Sequence, residues 1–208
     1  MLQVVPAILE KSFNEMVEKV ARVKPYTNFL QIDIMDNTFV PNETFRDAAR
    51  IATLDATLEI HLMIDKPALY FQQWALPNVQ RLIVHFETIG NMEHDIALMR
   101  TSGKEIGLAI NPETLTYEIK DYLDMVDMVV VMGVDPGFSG QQFQKDVLEK
   151  VKEMKKWKPE LLVEVDGGVN MYNRDMIEAA GATHIGAASA LWKAEDLGTA
   201  WKALQGVE

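Results

Sequence analysis

Short, β-branched apolar runs alternate with longer amphipathic segments from one end of this chain to the other, and no other feature narrows its possible folds as much. Strand candidates are read at Val4 to Leu9, Phe29 to Ile34, Thr57 to Met63, Arg81 to Phe86, Glu105 to Ile110, Met128 to Gly133, Leu161 to Val165 and His184 to Ala187. Each precedes a segment of helical character: Ser12 to Val23, Thr44 to Thr53, Pro67 to Ala75, Met92 to Thr101, Thr116 to Leu123, Gln141 to Trp157, Met171 to Ala180 and Glu195 to Leu204. Runs that are apolar throughout, such as Met128-Val-Val-Val-Met132, suit strands buried on both faces of a parallel sheet. Eight βα units in succession predict an α/β fold of the (β/α)8 TIM-barrel kind. A doubly wound open sheet is the alternative, because strand count alone does not impose closure. With 208 residues the chain stands near the lower limit for such a barrel, which predicts one domain over residues 1–208 with little room for insertions.

Composition excludes several partners. A net charge of −11 repels phosphodiester backbones and anionic membranes, and the Lys-dense stretch from Lys150 to Lys158 is interleaved with Glu149 and Glu153, so neither nucleic acid nor membrane is expected as a partner. The chain has no cysteine, which rules out disulfides and thiolate metal sites and suits a reducing cytoplasm. No basic leader followed by a long apolar run opens the sequence, and no apolar run nears the roughly 20 residues that span a bilayer, so the expected location is cytoplasmic.

In a barrel the loops that follow the strands form the functional face, so charged residues at strand C-terminal ends are the first place to look for chemistry. Gln31 and Asp33 alternate with Ile32 and Ile34 and therefore share a face of their strand. If that face is the barrel interior, Gln31, Asp33, His61 and Asp166 converge. Such a set suits a divalent cation, or a pair of acid/base groups on opposite sides of a substrate. One buried Asp or His is usually satisfied by backbone hydrogen bonds alone; four at the same end of different strands reverse that preference. Glycine-rich segments follow the later strands: Asp135-Pro-Gly-Phe-Ser-Gly-Gln-Gln-Phe143, Asp166-Gly-Gly-Val169 and Gly186-Ala-Ala-Ser189. They read either as tight turns or as loops whose N–H groups hold a phosphate without Lys or Arg, at the usual phosphate position of the fold. The candidates for that role are Gly137, Ser139, Gly140, Gly167, Gly168, Ala188 and Ser189.

Four segments in register, Leu30-Gln-Ile-Asp-Ile-Met-Asp-Asn-Thr-Phe-Val-Pro-Asn42, Glu59-Ile-His-Leu-Met-Ile64, Val131-Met-Gly-Val-Asp-Pro-Gly-Phe-Ser-Gly-Gln141 and Glu164-Val-Asp-Gly-Gly-Val169, resemble the signature segments of ribulose-phosphate 3-epimerases. Asn111-Pro-Glu-Thr114 also resembles the related allulose-6-phosphate 3-epimerases. The resemblance implies a barrel of the ribulose-phosphate-binding type that inverts C3 of a ketose phosphate, D-ribulose 5-phosphate to D-xylulose 5-phosphate. It implies Asp33 and Asp166 as the acid/base pair and one divalent ion (Zn, Mn, Fe or Mg) held by Asp33, His61 and Asp166, while Gln31 or Glu10, which depart from the family pattern, are candidates for a further ligand. It also implies Met35, Met63 and Met132 as lining, although methionine at a strand end is more often plain packing, and a homo-oligomer built from dimers.

The chain departs from the family pattern at four places. Gln31 stands where the family has a second histidine ligand, Glu10 where it has a serine, Ala188 where it has a glycine, and Gly133 where it has a threonine. Three accounts of Glu10 are open: a carboxylate ligand, a hydrogen-bond partner of Gln31 in a metal-free site, or a solvent-facing residue. A non-catalytic sugar-phosphate binder that kept the loops is the competing function. The Asp-x-Lys-x-x-Asp array of barrel decarboxylases and aldol-type synthases is missing its lysine in Asp33-Ile-Met-Asp36, and no Gly-x-Gly-x-x-Gly follows the first strand.

Overall fold

The computed structural model describes residues 2–207. Strands β1 (Gln3–Ile8), β2 (Phe29–Met35), β3 (Thr57–Met63), β4 (Val79–His85), β5 (Glu105–Ile110), β6 (Met128–Met132), β7 (Leu162–Asp166) and β8 (His184–Ala187) pair in parallel, in chain order. Between and after them run α1 (Phe13–Val23), α2 (Ala48–Ile51), α3 (Phe71–Trp74), α4 (Met92–Arg100), α5 (Thr116–Ile119), α6 (Val147–Trp157), α7 (Arg174–Ala180), α8 (Ser189–Trp192) and α9 (Leu197–Gln205). The sheet closes, with β8 pairing back on β1 from Gln3↔His184 to Pro6↔Ala187, so the (β/α)8 barrel forms and the open-sheet alternative does not. Among the described residues no helix is long and apolar enough to cross a membrane.

The two-residue period of each strand sorts its side chains between two environments. Outward residues such as Ile32, Ile34, Ile60, Leu62, Val129 and Val163 merge with the buried faces of the helices, among them Met16 and Val20 of α1 and Val151 and Met154 of α6. This ring between barrel and helices is the main core. Inside the barrel the apolar side chains include Val5 and Ala7 of β1 and the cluster of Ile83, Ala109, Met128, Val130 and Met132, with Met35, Val40 and Met63 forming a small group at the mouth.

Several helices are shorter than their amphipathic pattern predicts, for local reasons. The segment expected to turn helical at Thr44 instead stays against β2, because the Thr44 hydroxyl donates to Asp33 O (2.7 Å) and accepts from Met35 N–H (3.0 Å). Helix α2 then starts only after Asp47, whose carboxylate caps Arg50 N–H at 3.2 Å. Helix α6 begins at Val147 rather than Gln141, since Gln141 Nε2 donates to Asp135 O and Phe138 O and folds the β6–α6 loop on itself. A short helix that the pattern does not reveal, α8, directly follows β8.

Below the mouth the barrel interior holds a buried ionic layer. Glu59, Arg81 and Glu105 stand level on β3, β4 and β5. Arg81 donates to Glu59 Oε2 and Glu105 Oε2, each at 2.8 Å. Glu164 of β7 is also fully buried, and neither of its oxygens has a hydrogen-bond partner. Burial, with the charge of Glu59 beside it, pushes the Glu164 carboxyl well above the usual range, while burial raises Glu59 to about 7 against the pull of Arg81. Among the described residues Arg81 is therefore the cation that balances this layer, and removing it strands a carboxylate in the core. The variant Arg81→Met is expected to lose about 3 to 5 kcal/mol of unfolding free energy in urea titrations. A loss below about 1 kcal/mol would mean that the layer is wet or rearranges freely.

Candidate active site

Asp33 and His61 are register partners on β2 and β3, and Asp166 ends β7, level with Gly186 of β8. All three side chains are buried. One ligand atom from each, an imidazole nitrogen and two carboxylate oxygens, lies within 4.8 Å of the others, a spacing and donor set compatible with a divalent ion. Asp166 can occupy this position because β8 carries glycine opposite it: a Cβ at Gly186 would stand 2.5 Å from Asp166 Oδ1. In the sequence Gly186 belongs to a segment that reads as a turn or a phosphate loop, because the need for bare backbone arises only when β7 pairs with β8.

Gln31 sits at the centre of the group. Its Nε2 donates to Asp33 Oδ1 (2.8 Å) and Asp166 Oδ2 (2.7 Å) and lies 3.4 Å from His61 Nδ1. Its Oε1 is buried without a partner. His61 Nδ1 is 3.4 Å from Asp33 Oδ1 and 3.5 Å from Asp166 Oδ2, and its Nε2 is 2.9 Å from Nε2 of His85. The two imidazoles are nearly parallel, with centroids 4.9 Å apart. His85 lies within ion-pair distance of Glu87, whose Oε1 accepts from Asn111 N–H and from the Thr114 hydroxyl. His85 and Glu87 thus form a row behind His61 that restrains its ring.

The carboxyl groups are driven in opposite directions. Burial raises the Asp33 pKa in spite of its hydrogen bond to His61. For Asp166 burial is outweighed by the hydrogen bond to His61 and the charge of that ring, with help from Gln31, and the pKa falls. Burial opposes the charge on His61, yet hydrogen bonds to Asp166 and Asp33 push it up to about 9. A pair of carboxyls split in this way can keep one proton donor and one proton acceptor at the same pH.

The remaining candidates divide by position. Met35, Met63 and Met132 line the cleft above the cluster, together with Gly137, Ser139, Gly140, Gly167, Gly168, Ala188 and Ser189. The N–H groups of Gly140, Gly168 and Ala188 make no hydrogen bond among the described residues. Glu10 does not join the cluster. Strand β1 ends at Ile8, and the Glu10 side chain turns toward α1, where it pairs with Lys19, itself 4.7 Å from the Trp192 ring. The geometry matches none of the three accounts: Glu10 is half-buried in an ion pair with Lys19, apart from the cluster and from Gln31.

Comparison with known proteins agrees with this architecture. A family model described as the ribulose-phosphate 3 epimerase family matches residues 3–192. The chain is 37% identical over 206 residues to a ribulose-phosphate 3-epimerase of Bacillus subtilis, covering 94% of each protein. It is 32% identical over 215 residues to one of Helicobacter pylori, covering 99% of this chain and 98% of that protein. Among solved structures, a mutant tryptophan synthase α-subunit from Pyrococcus furiosus superposes with a TM-score of 0.75 at 13% identity, covering 99% of this chain and 98% of the other, a likeness of fold alone.

Proposed function

The chain belongs to the ribulose-phosphate 3-epimerase family, and from that membership we propose that it inverts C3 of a ketose phosphate, taking D-ribulose 5-phosphate to D-xylulose 5-phosphate through an ene-diolate. The observation that carries this reading is the placing of Asp33 and Asp166 at one barrel mouth, on strands separated by β8 and β1, each bonded to the same amide nitrogen. Inversion needs a base on one face of the reacting carbon and an acid on the other. One aspartate takes the C3 proton and the other returns a proton to the opposite face, with the roles exchanged in the reverse direction. Met35, Met63 and Met132 form an apolar wall that limits water at that carbon, and N–H groups of the glycine-rich loops hold the phosphate.

Asp33, His61 and Asp166 would hold one divalent ion, Zn, Mn, Fe or Mg, and Gln31 would join them by turning its unpartnered Oε1 inward. When bound, such an ion supplies Lewis-acid stabilisation of negative charge on the substrate oxygens. A specific observation favours a second reading. The Gln31 amide already donates to both aspartates, which occupies acceptor sites that chemistry requires and suits a weakly active or non-catalytic sugar-phosphate binder. The Asn111-Pro-Glu-Thr114 segment keeps allulose 6-phosphate among the substrates to test. A cytoplasmic homo-oligomer is the setting that the family and the lack of cysteine support.

Proton NMR in deuterated water, with chelator and again with added manganese, zinc or magnesium, should record deuterium at C3 of D-ribulose 5-phosphate as xylulose 5-phosphate forms. Asp33→Asn and Asp166→Asn should each slow exchange at least about a hundredfold. Near-normal exchange in either variant removes that residue from the scheme, and no exchange with any ketose phosphate that binds selects the second reading. Calorimetry with manganese or zinc tests the ligand set separately. Gln31→His, which replaces a neutral amide by imidazole, should tighten binding about tenfold, a difference of about 1.4 kcal/mol. Unchanged affinity would place position 31 outside the coordination sphere.

A further inference from the structure

The cleft above the cluster is lined by two carboxylates, Asp33 and Asp166, and by no lysine or arginine, in a chain whose net charge is −11. A phosphate ester that seats there approaches like charge, and free N–H groups supply only partial charges against it. A lysine lies just beyond the lining, beside its glycine-rich loops. Lys193 caps the C-terminal end of α8, four residues after Ser189, which brings both side chains to one side of that helix. Its Nζ is 3.2 Å from where a Cβ at Gly140 would stand, and Ser189 Cβ is 4.0 Å from the same point. Gly140 has φ +83°, so the β6–α6 loop offers bare backbone to the ammonium at that place.

Other lysines near the barrel ends are engaged: Lys19 with Glu10, Lys158 with Asp124, and Lys150 with the carbonyls of Asn111, Pro112 and Thr114. Lys193 is exposed, and its ammonium makes no ion pair or hydrogen bond among the described residues while standing beside the turn at Gly140. We propose that Lys193 is a phosphate-binding residue of this cleft, supplying from the end of α8 the one full positive charge that meets the substrate's phosphate between the β6–α6 loop and Ser189. The inference rests on the ketose-phosphate reading above and names a side chain where that reading relies on backbone alone.

Calorimetry at low ionic strength, with inorganic phosphate and with D-ribulose 5-phosphate as the two probes, tests it on the whole protein. Lys193→Met should weaken both ligands about tenfold, at the low end for a charge-assisted hydrogen bond, and Lys193→Arg should recover most of the loss. Lys156→Met, which removes the same formal charge from the far half of α6, should bind both probes as the unaltered chain does. If the unaltered chain binds the probes and Lys193→Met binds them equally well, the assignment of Lys193 is wrong while the phosphate reading of the loops stands. If the unaltered chain binds neither probe, the phosphate reading fails and Lys193 goes with it.

Discussion

Every second residue of a closed parallel barrel faces an interior that bulk water does not fill, so polar groups placed there have to satisfy one another across strands. In this chain that constraint applies to an unusual share of the interior. Gln31, Asp33, Glu59, His61, Arg81, His85, Glu164 and Asp166 are all buried, and inner apolar packing comes from residues such as Val5, Ala7, Ile83, Ala109, Met128, Val130 and Met132. Two layers result: Arg81 with Glu59 and Glu105 below, and Gln31, His61 and the two aspartates at the mouth. Neither layer is a source of stability, because desolvating charges offsets most of their attraction. The outer ring of strand and helix side chains drives folding, and it is what permits an interior this polar.

What was legible in the sequence follows from which interactions are local. Strand number and facing could be read because a two-residue period is a property of each segment by itself; the alternation of Gln31 and Asp33 with Ile32 and Ile34 already separates the two environments. The convergence of Asp33, His61 and Asp166 was legible once eight βα units were counted, since strand ends of a barrel meet at one mouth. The start of α2 was not legible, because the hydrogen bonds from Thr44 to the end of β2 compete with a helical pattern that the residues themselves favour. The direction of the Glu10 side chain was hidden too, as it depends on Lys19 lying above Trp192, a ring that comes from the other end of the chain. Lys193 carried no sequence signal at all: only the folded β6–α6 loop brings Gly140 to its ammonium.

Gln31, at the position where the resemblance implies a histidine, gives the mouth a different hydrogen-bonding chemistry. A neutral imidazole facing the cluster offers either one lone pair or one N–H, and it cannot bridge two carboxylates through a single nitrogen donor. A terminal amide nitrogen carries two N–H groups, and Gln31 uses them on Asp33 and Asp166 together. The same side chain ends in an oxygen that suits a cation between those carboxylates. The amide can therefore serve either set of neighbours by turning over, at the cost of leaving its other end buried and unpaired, as Oε1 is here.

That cost falls on a site whose carboxyls are already unequal. Gln31 donates to both aspartates at nearly the same distance, so the amide bridge alone does not separate them. The separation comes from how burial is offset on each side: His61 and Gln31 overcome it for Asp166 and fail to do so for Asp33. A reversible inversion at carbon needs two carboxyls in opposite protonation states that can exchange those states over one catalytic cycle. Pairs of strongly coupled groups titrate as a unit, and a bridge that donates equally to both partners leaves the proton free to reside on either. On the proposed reading, the bridging amide keeps the aspartates close and interchangeable, while the imidazole, held from behind by His85, sets which of them begins protonated.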